Sequence, residues 1–547
     1  MKRIISFFCF MIVSMCVSSV YAGNAEADYR VVPLPQSIKM AEGKPFILNA
    51  SSDIVYVNSD SLLKRNAAFL AEYINKSVGL SLIVKSRPSK SDGNIFLRID
   101  KKINGDEAYK IEIDKHHIII SGKNANGVFY GIQTLRKSLP IIQHAENVVL
   151  PAAMISDTPR FAYRGMMLDV ARHFFPVDFV KEYIDLLALH NMNTFHWHLT
   201  DDQGWRIEIK KYPLLTKIGS IRKHTTLGRN SSLYDDTQYG GFYTQEQARE
   251  IVEYAKERYI TVIPEIDMPG HMLGALSAYP ELGCTGGPYE VSGNWGVFDD
   301  ILCAGNEKTY QFIQDVMDEL MDIFPSKYIH LGGDEAPKTR WTTCEKCQGK
   351  IKSLGIKGDK ECTAENRLQG YLVSRIEKYL NQKGRKIIGW DEILEGDVQK
   401  SATIMSWRGV EGGIKASRLG HDAIMTPVSY CYFDYYQTDK TWNEPLLIGG
   451  NLNIEKTYSY QPVPDSLTAA EKKHIIGVQG NLWTEYIVCP SLAEYQVLPR
   501  MAALSEVQWM QYDKKNYPDF RKRLERLLQV YKLYGYKYFT EKKFNWL

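Results

Sequence analysis

The chain has 547 residues, 44% hydrophobic and 24% charged, with a formal net charge of +3. So small and dispersed a charge excludes nucleic acid and anionic membrane surfaces as electrostatic partners. The length supports a large core without disulfides or metals, and ten tryptophans and 34 tyrosines add aromatic faces of the kind that pack on sugar rings.

Lys2 and Arg3 precede an apolar run from Ile4 to Val17, and Val20-Tyr21-Ala22 places small residues where a processing enzyme cuts. Residues 1–22 therefore read as a secretory signal peptide, too short to span a bilayer comfortably. Met15 before Cys16 argues against a lipid anchor. With no later stretch long and apolar enough to cross a membrane, the mature chain is expected in the periplasm or outside the cell. Two of the nine cysteines, Cys9 and Cys16, leave with the signal, and the remaining seven cannot all pair. Cys284 and Cys303 flank a glycine-rich loop and are candidates for a disulfide. Cys344, Cys347 and Cys362 resemble part of a zinc site, but no fourth ligand is visible. No metal and no cofactor is expected.

Residues 23–158 carry short strand patterns at 46–48, 54–57, 80–84, 95–97, 109–113 and 118–120, with helical spacing over 62–75 and 127–139. This predicts a small α+β domain, and it holds no clustered acids, bases or ligands. From about residue 159 to 512 the pattern becomes strand, loop, helix, repeated. The predicted strands are 165–170, 194–199, 261–266, 328–331, 386–389, 403–406, 422–426 and 475–479. Helical patterns over 176–190, 245–258, 310–323 and 364–382 lie between them, and Thr244 with Gln247 forms a capping-box signature. Eight strands with crossover helices predict an α/β fold, a parallel (β/α)8 TIM barrel behind the small α+β domain. An open doubly wound sheet would need a glycine-rich phosphate loop, and none follows the first strand. Residues 513–547 are expected to form a helical extension packed on the barrel.

Active sites of such barrels lie in the loops after the strands. Here those loops open on Asp169 and Arg172; Asp201, Asp202 and Trp205; Glu265, Asp267 and His271; and Asp334 and Glu335. Trp390-Asp391-Glu392, Trp407-Arg408, Tyr432 with Asp434, and Trp483-Thr484-Glu485 complete the ring. Acids and aromatics around one cup suit a sugar, and glycoside cleavage needs a proton donor and stabilisation of an oxocarbenium-like transition state. Neighbouring residues in extended backbone point to opposite sides. On that basis Asp334 and Glu335 are not expected to flank one bond as acid and nucleophile, which favours attack by the substrate's own 2-acetamido oxygen. His196 and His198 alternate on a strand and are read as core histidines, and Asp391-Glu392 as structural or hydroxyl-binding. A retaining glycosidase with a protein nucleophile and a non-catalytic glycan-binding protein are the alternative classes.

The strings His196-Trp197-His198-Leu199-Thr200-Asp201-Asp202-Gln203-Gly204-Trp205-Arg206 and His330-Leu331-Gly332-Gly333-Asp334-Glu335 resemble those of glycoside hydrolase family 20. Pro264-Glu265-Ile266-Asp267-Met268-Pro269-Gly270-His271 and Gly480-Asn481-Leu482-Trp483-Thr484-Glu485 do so as well. The resemblance spans roughly residues 160–510. It implies an exo-acting, retaining β-N-acetylhexosaminidase working on glycans with terminal β-linked GlcNAc or GalNAc. By the same resemblance Glu335 is the general acid and then base, and Asp334 orients the acetamido group and steadies an oxazolinium-like intermediate. Tyr432 is implied to bond the acetamido oxygen, with Trp390, Trp407 and Trp483 as walls. Arg172, Glu485 and Asp434 are implied to hold hydroxyls, and either Asp201 or Asp202 to support His271 beside Glu335.

Overall fold

A computed structural model describes residues 25–540 except 58, 59 and 230. The signal-peptide reading of residues 1–22 lies outside the described residues. Eight parallel strands close into a barrel: β1 (Tyr163–Asp169), β2 (Thr194–His198), β3 (Thr261–Glu265), β4 (Tyr328–His330), β5 (Lys386–Trp390), β6 (Thr403–Ser406), β7 (Ala423–Met425) and β8 (Ile475–Leu482). The expected barrel is present. Nearly every strand residue is buried, as happens when a parallel sheet is filled inside and covered by helices outside. Some of the covering helices start where a side chain satisfies free backbone amides. Thr244 and Gln247 form the expected reciprocal capping box before helix Gln245–Glu257, and Thr363 caps helix Ala364–Gln382.

Strand register carries chemistry to one end. Asp169 lies opposite His198, His198 opposite Glu265, and Glu265 opposite His330. Four polar side chains thus form a belt across β1 to β4 at the C-terminal rim, all fully buried.

The preceding domain is a seven-stranded mixed sheet with a small three-stranded sheet, packed by helices Ser61–Val78 and Ala125–Ser138. Strands Ser37–Met40, Asn147–Leu150 and Ala153–Asp157 escaped sequence reading because they are short and partly exposed. Asp157 anchors this domain to the barrel's last helix by accepting from Trp509 Nε1 at 2.9 Å. The C-terminal helix Tyr517–Tyr534 docks through buried Arg523, which pairs with Glu506. Among the described residues no helix is long and apolar enough to cross a membrane.

Candidate active site

At the C-terminal ends of the strands lies a cup of about 210 Å³, lined by Arg172, Asp334, Glu335, Trp390, Trp407, Tyr432, Asp434, Trp483 and Glu485. Nine of the eleven site residues expected from sequence meet there. Val428, Tyr435 and Ile448 complete the lining; they come from the same long loop after β7 that carries Tyr432 and Asp434. The other two expected residues, Asp201 and His271, stand directly behind the wall. His271 Nε2 is 3.7 Å from Glu335 Oε2 and 3.8 Å from Asp334 Oδ2. Its Nδ1 lies 3.1 Å from both Asp201 Oδ1 and Asp202 Oδ2. Both aspartates, not one alone, contact the imidazole.

The doublet itself departs from expectation. β4 ends at His330, and Gly332, Gly333 and Glu335 all take positive φ, 67°, 102° and 43°. The backbone is coiled there, not extended, so the two carboxyls converge on one imidazole instead of facing opposite ways. Alternation therefore gives no argument about the nucleophile. Gly332 is required by close approach, since a Cβ there would stand 1.7 Å from Asp267 Oδ1. Left-handed backbone at Glu335 and at His271, φ 53°, is costly for residues with side chains and is characteristic of functional sites.

The belt beneath holds this arrangement in place. Glu265 Oε2 lies 2.5 Å from His198 Nδ1 and 2.9 Å from His196 Nε2. Its Oε1 is 2.9 Å from His330 Nδ1 and accepts from the Trp390 indole at 2.9 Å. Burial opposes charge on Glu265, but the three histidines outweigh it and hold the carboxyl well below its usual range. His196 and His198 are thus core histidines whose acidic partner, Glu265, sequence spacing did not reveal. Asp201 takes Arg172 Nη2 at 2.9 Å and His198 Nε2 at 3.0 Å. Asp169 accepts from Thr484 and contacts Arg172, and Gln203 accepts from Arg172 Nε at 3.1 Å. The guanidinium lies 4.9 Å over Trp483.

On the opposite wall Trp407 stacks on Tyr432 with ring centroids 6.2 Å apart. Its indole donates to Glu392 Oε2 at 2.9 Å and its amide to Asp391 Oδ2 at 3.0 Å. The Asp391-Glu392 doublet thus fixes Trp407. Burial first, then repulsion from Asp334, raises Glu392 to about 8.

Electrostatics separate the two carboxyls of the candidate pair. Burial raises Asp334 above an ordinary aspartate. Glu335 is lowered chiefly by the His271 imidazole beside it. Burial works against charge on His271, but Asp201 and Asp202 hold its pKa well above the usual imidazole value. The lining holds four carboxyls against one guanidinium, an arrangement suited to hydroxyl donors and a developing cation.

The cysteines require a correction. Cys362 stands apart and donates to the Glu395 carbonyl at 2.8 Å. Cys284 and Cys303 instead join Cys344 and Cys347 in one cluster, all four as free thiols. Cys284 and Cys303, not Cys362, are thus the neighbours of the Cys344–Cys347 pair.

With this geometry in hand, comparison with known proteins is informative. The model for glycosyl hydrolase family 20, catalytic domain, matches residues 161–512, and that for glycosyl hydrolase family 20, domain 2, matches residues 28–158. A beta-hexosaminidase of Porphyromonas gingivalis is 42% identical over 96% of this chain, which spans 66% of that protein's length. The Streptomyces plicatus N-acetyl-beta-hexosaminidase in complex with thio-NAglucal superposes with a TM-score of 0.81 at 29% identity, covering 95% of this chain and 98% of the other. The Vibrio harveyi exo beta-N-acetylglucosaminidase in complex with N-acetylglucosamine gives 0.81 at 30% identity, covering 95% and 80%. The chain belongs to glycosyl hydrolase family 20 and carries both the catalytic domain and the domain that precedes it.

Proposed function

We propose that the protein is an exported, exo-acting β-N-acetylhexosaminidase that releases terminal β-linked GlcNAc or GalNAc by a retaining, substrate-assisted mechanism. The observation that carries this reading is the convergence of Asp334 and Glu335 on His271 at the wall of a cup closed by Trp390, Trp407, Tyr432 and Trp483. At about 210 Å³ the cup is smaller than the ~300–1,000 Å³ typical of ligand pockets, which suits one sugar ring entering from a chain end. The ligands of the Streptomyces plicatus and Vibrio harveyi proteins support the same sugar class here. Export rests on the sequence of residues 1–22.

In this mechanism the acetamido oxygen attacks C1 while Glu335 protonates the departing oxygen. Asp334, unpartnered at Oδ1, receives the acetamido N–H and opposes the positive charge that develops on the ring formed. Such fixed opposition to transition-state charge is a principal source of catalysis. Glu335 then takes a proton from water, which attacks C1 from the leaving group's side and restores the β configuration. A sugar filling the cup excludes water from Glu335 and raises its proton affinity, and His271 beside it carries an exchangeable proton. Arg172, Asp434 and Glu485 are positioned to bind ring hydroxyls.

The test is a pair of substrates. An N-trifluoroacetyl glycoside has a weaker internal nucleophile, so kcat is expected to fall steeply when ring closure limits turnover. A 2-fluoro glycoside has no acetamido group, and mass spectrometry is expected to find no adduct. A covalent glycosyl-enzyme formed at a rate near normal turnover would overturn substrate assistance and place the nucleophile on a protein carboxylate.

A further inference from the structure

Four thiols outside the cup come from two distant stretches of chain. Cys284 follows the short helical turn Pro280–Leu282. Cys303 returns beside it, held by the bridge of Gly283 with Leu302 and by its own amide donating to the Leu282 carbonyl at 2.8 Å. Cys344 precedes helix Glu345–Leu354, and Cys347 sits in that helix's first turn. The first two belong to the loop after β3, which carries His271. The second two belong to the loop after β4, which carries Asp334 and Glu335.

The spacing of the sulfurs discriminates between chemistries. Sγ separations are 3.6 Å for Cys303–Cys347, 3.7 Å for Cys303–Cys344 and 3.9 Å for Cys284–Cys347, and all four sulfurs lie within 4.8 Å of one another. Four thiolates ~2.3 Å from a central zinc in a tetrahedron are ~3.8 Å apart. A disulfide brings one pair to ~2.05 Å. Here no pair is singled out, and Cys303 and Cys347 each have two near neighbours. Backbone packing fixes the approach, because a Cβ on Gly305 would stand 2.4 Å from the Cys347 amide nitrogen.

We propose that Cys284, Cys303, Cys344 and Cys347 bind one zinc ion as a tetrathiolate site that clamps the His271 loop to the Asp334–Glu335 loop. Binding releases four thiol protons and leaves a complex of net charge −2, with no electron transferred. All-thiolate tetrahedral coordination selects zinc over calcium or magnesium. Four protein ligands leave no open position, so the ion is structural and takes no part in sugar cleavage. Once bound, it keeps the thiols from oxidising in an exported protein. A buried indole bond, Trp341 Nε1 to the Leu302 carbonyl at 2.9 Å, crosses the same seam and ties the two loops beside the ion.

The test measures metal and thiols on the full mature chain purified without chelators. Elemental analysis is expected to give one zinc per chain, and alkylation in denaturant with chelator to label all four cysteines. Cobalt(II) refolded into the protein is expected to show the intense visible and near-ultraviolet bands of tetrahedral thiolate coordination. Cys344→Ser is expected to lose the metal and lower Tm, whereas Cys362→Ser retains it. Should Cys344→Ser fail to fold, the wild-type metal content still decides. A metal-free protein with four free thiols, one lighter by four hydrogens through two disulfides, or one equivalent of iron in place of zinc would each overturn the site.

Discussion

Both ends of the barrel are hollow. At the N-terminal ends of the strands a cavity of about 640 Å³ is lined by Glu107, Tyr163, Asn193, Tyr259 and Tyr328, among others, while the cup at the opposite end holds about 210 Å³. In the larger space the acid is already answered. Glu107 accepts from Arg164 at 2.6 Å, from Asn193 at 3.1 Å and from Tyr130 at 3.2 Å. In the smaller one Asp334 Oδ1 and Asp434 Oδ1 are buried without partners, and burial pushes Asp434 far above an ordinary carboxyl. Unmet hydrogen-bonding capacity, which costs stability, is kept where a ligand can meet it. Volume alone would point to the wrong end.

The largest expected difference between the two ends is catalytic. Glu335→Gln is expected to cut turnover of unactivated glycosides by ~10²–10⁴, the range for loss of general acid–base catalysis. Asn193→Ala at the other end is expected to leave kcat/KM unchanged. Steady-state kinetics on a natural disaccharide decide this, and equal losses would erase the contrast. A second effect concerns pH. Asp334 must be ionised to oppose the developing cation, and its raised pKa means that it takes up a proton at higher pH than a free aspartate. Activity is therefore lost as pH falls through that raised value. The acid limb of kcat/KM is expected above ~3.9, the ordinary aspartate value, falling about tenfold per unit below it. A flat profile down to that value would show that burial does not govern the group. The smallest effect belongs to the lower end. Glu107→Gln leaves Arg164, fully buried, without its counter-charge. The expected result is ~1–3 kcal/mol of lost stability in a denaturant titration, with unchanged kcat/KM.

Legibility in the sequence followed the same division. The barrel strands were readable because each is a short, largely apolar run leading into a loop with acids or aromatics, and helix Ala364–Gln382 matched to the residue. The cup was readable for the same reason: barrel topology brings strand ends together whatever lies between them. What stayed hidden depended on local backbone or distant contact. The left-handed residues Glu335 and His271 are not themselves glycines, and the Gly332-Gly333 pair before the doublet is the one sequence signal of the coiled backbone that the extended reading of Asp334 and Glu335 leaves out. Glu392 as the anchor of Trp407 required the packing of two loops. The cysteine cluster joins positions 41 to 63 residues apart, and only folding shows that Cys362 is outside it.

The Glu265 belt has a consequence for how the barrel forms. The carboxylate gathers nitrogens from β2, β4 and β5, so no consecutive pair of strands satisfies it. An intermediate that buried Glu265 before β4 and β5 arrived would leave its Oε1 without His330 and Trp390, at a cost of ~1–3 kcal/mol for the unmet acceptor. Partly closed barrels are thereby disfavoured, and closure across β2 to β5 becomes cooperative. A fragment ending before β5 would lack the Trp390 indole and be left with a solvated, open sheet. The interior that steadies the active site thus also makes folding of this half all-or-none.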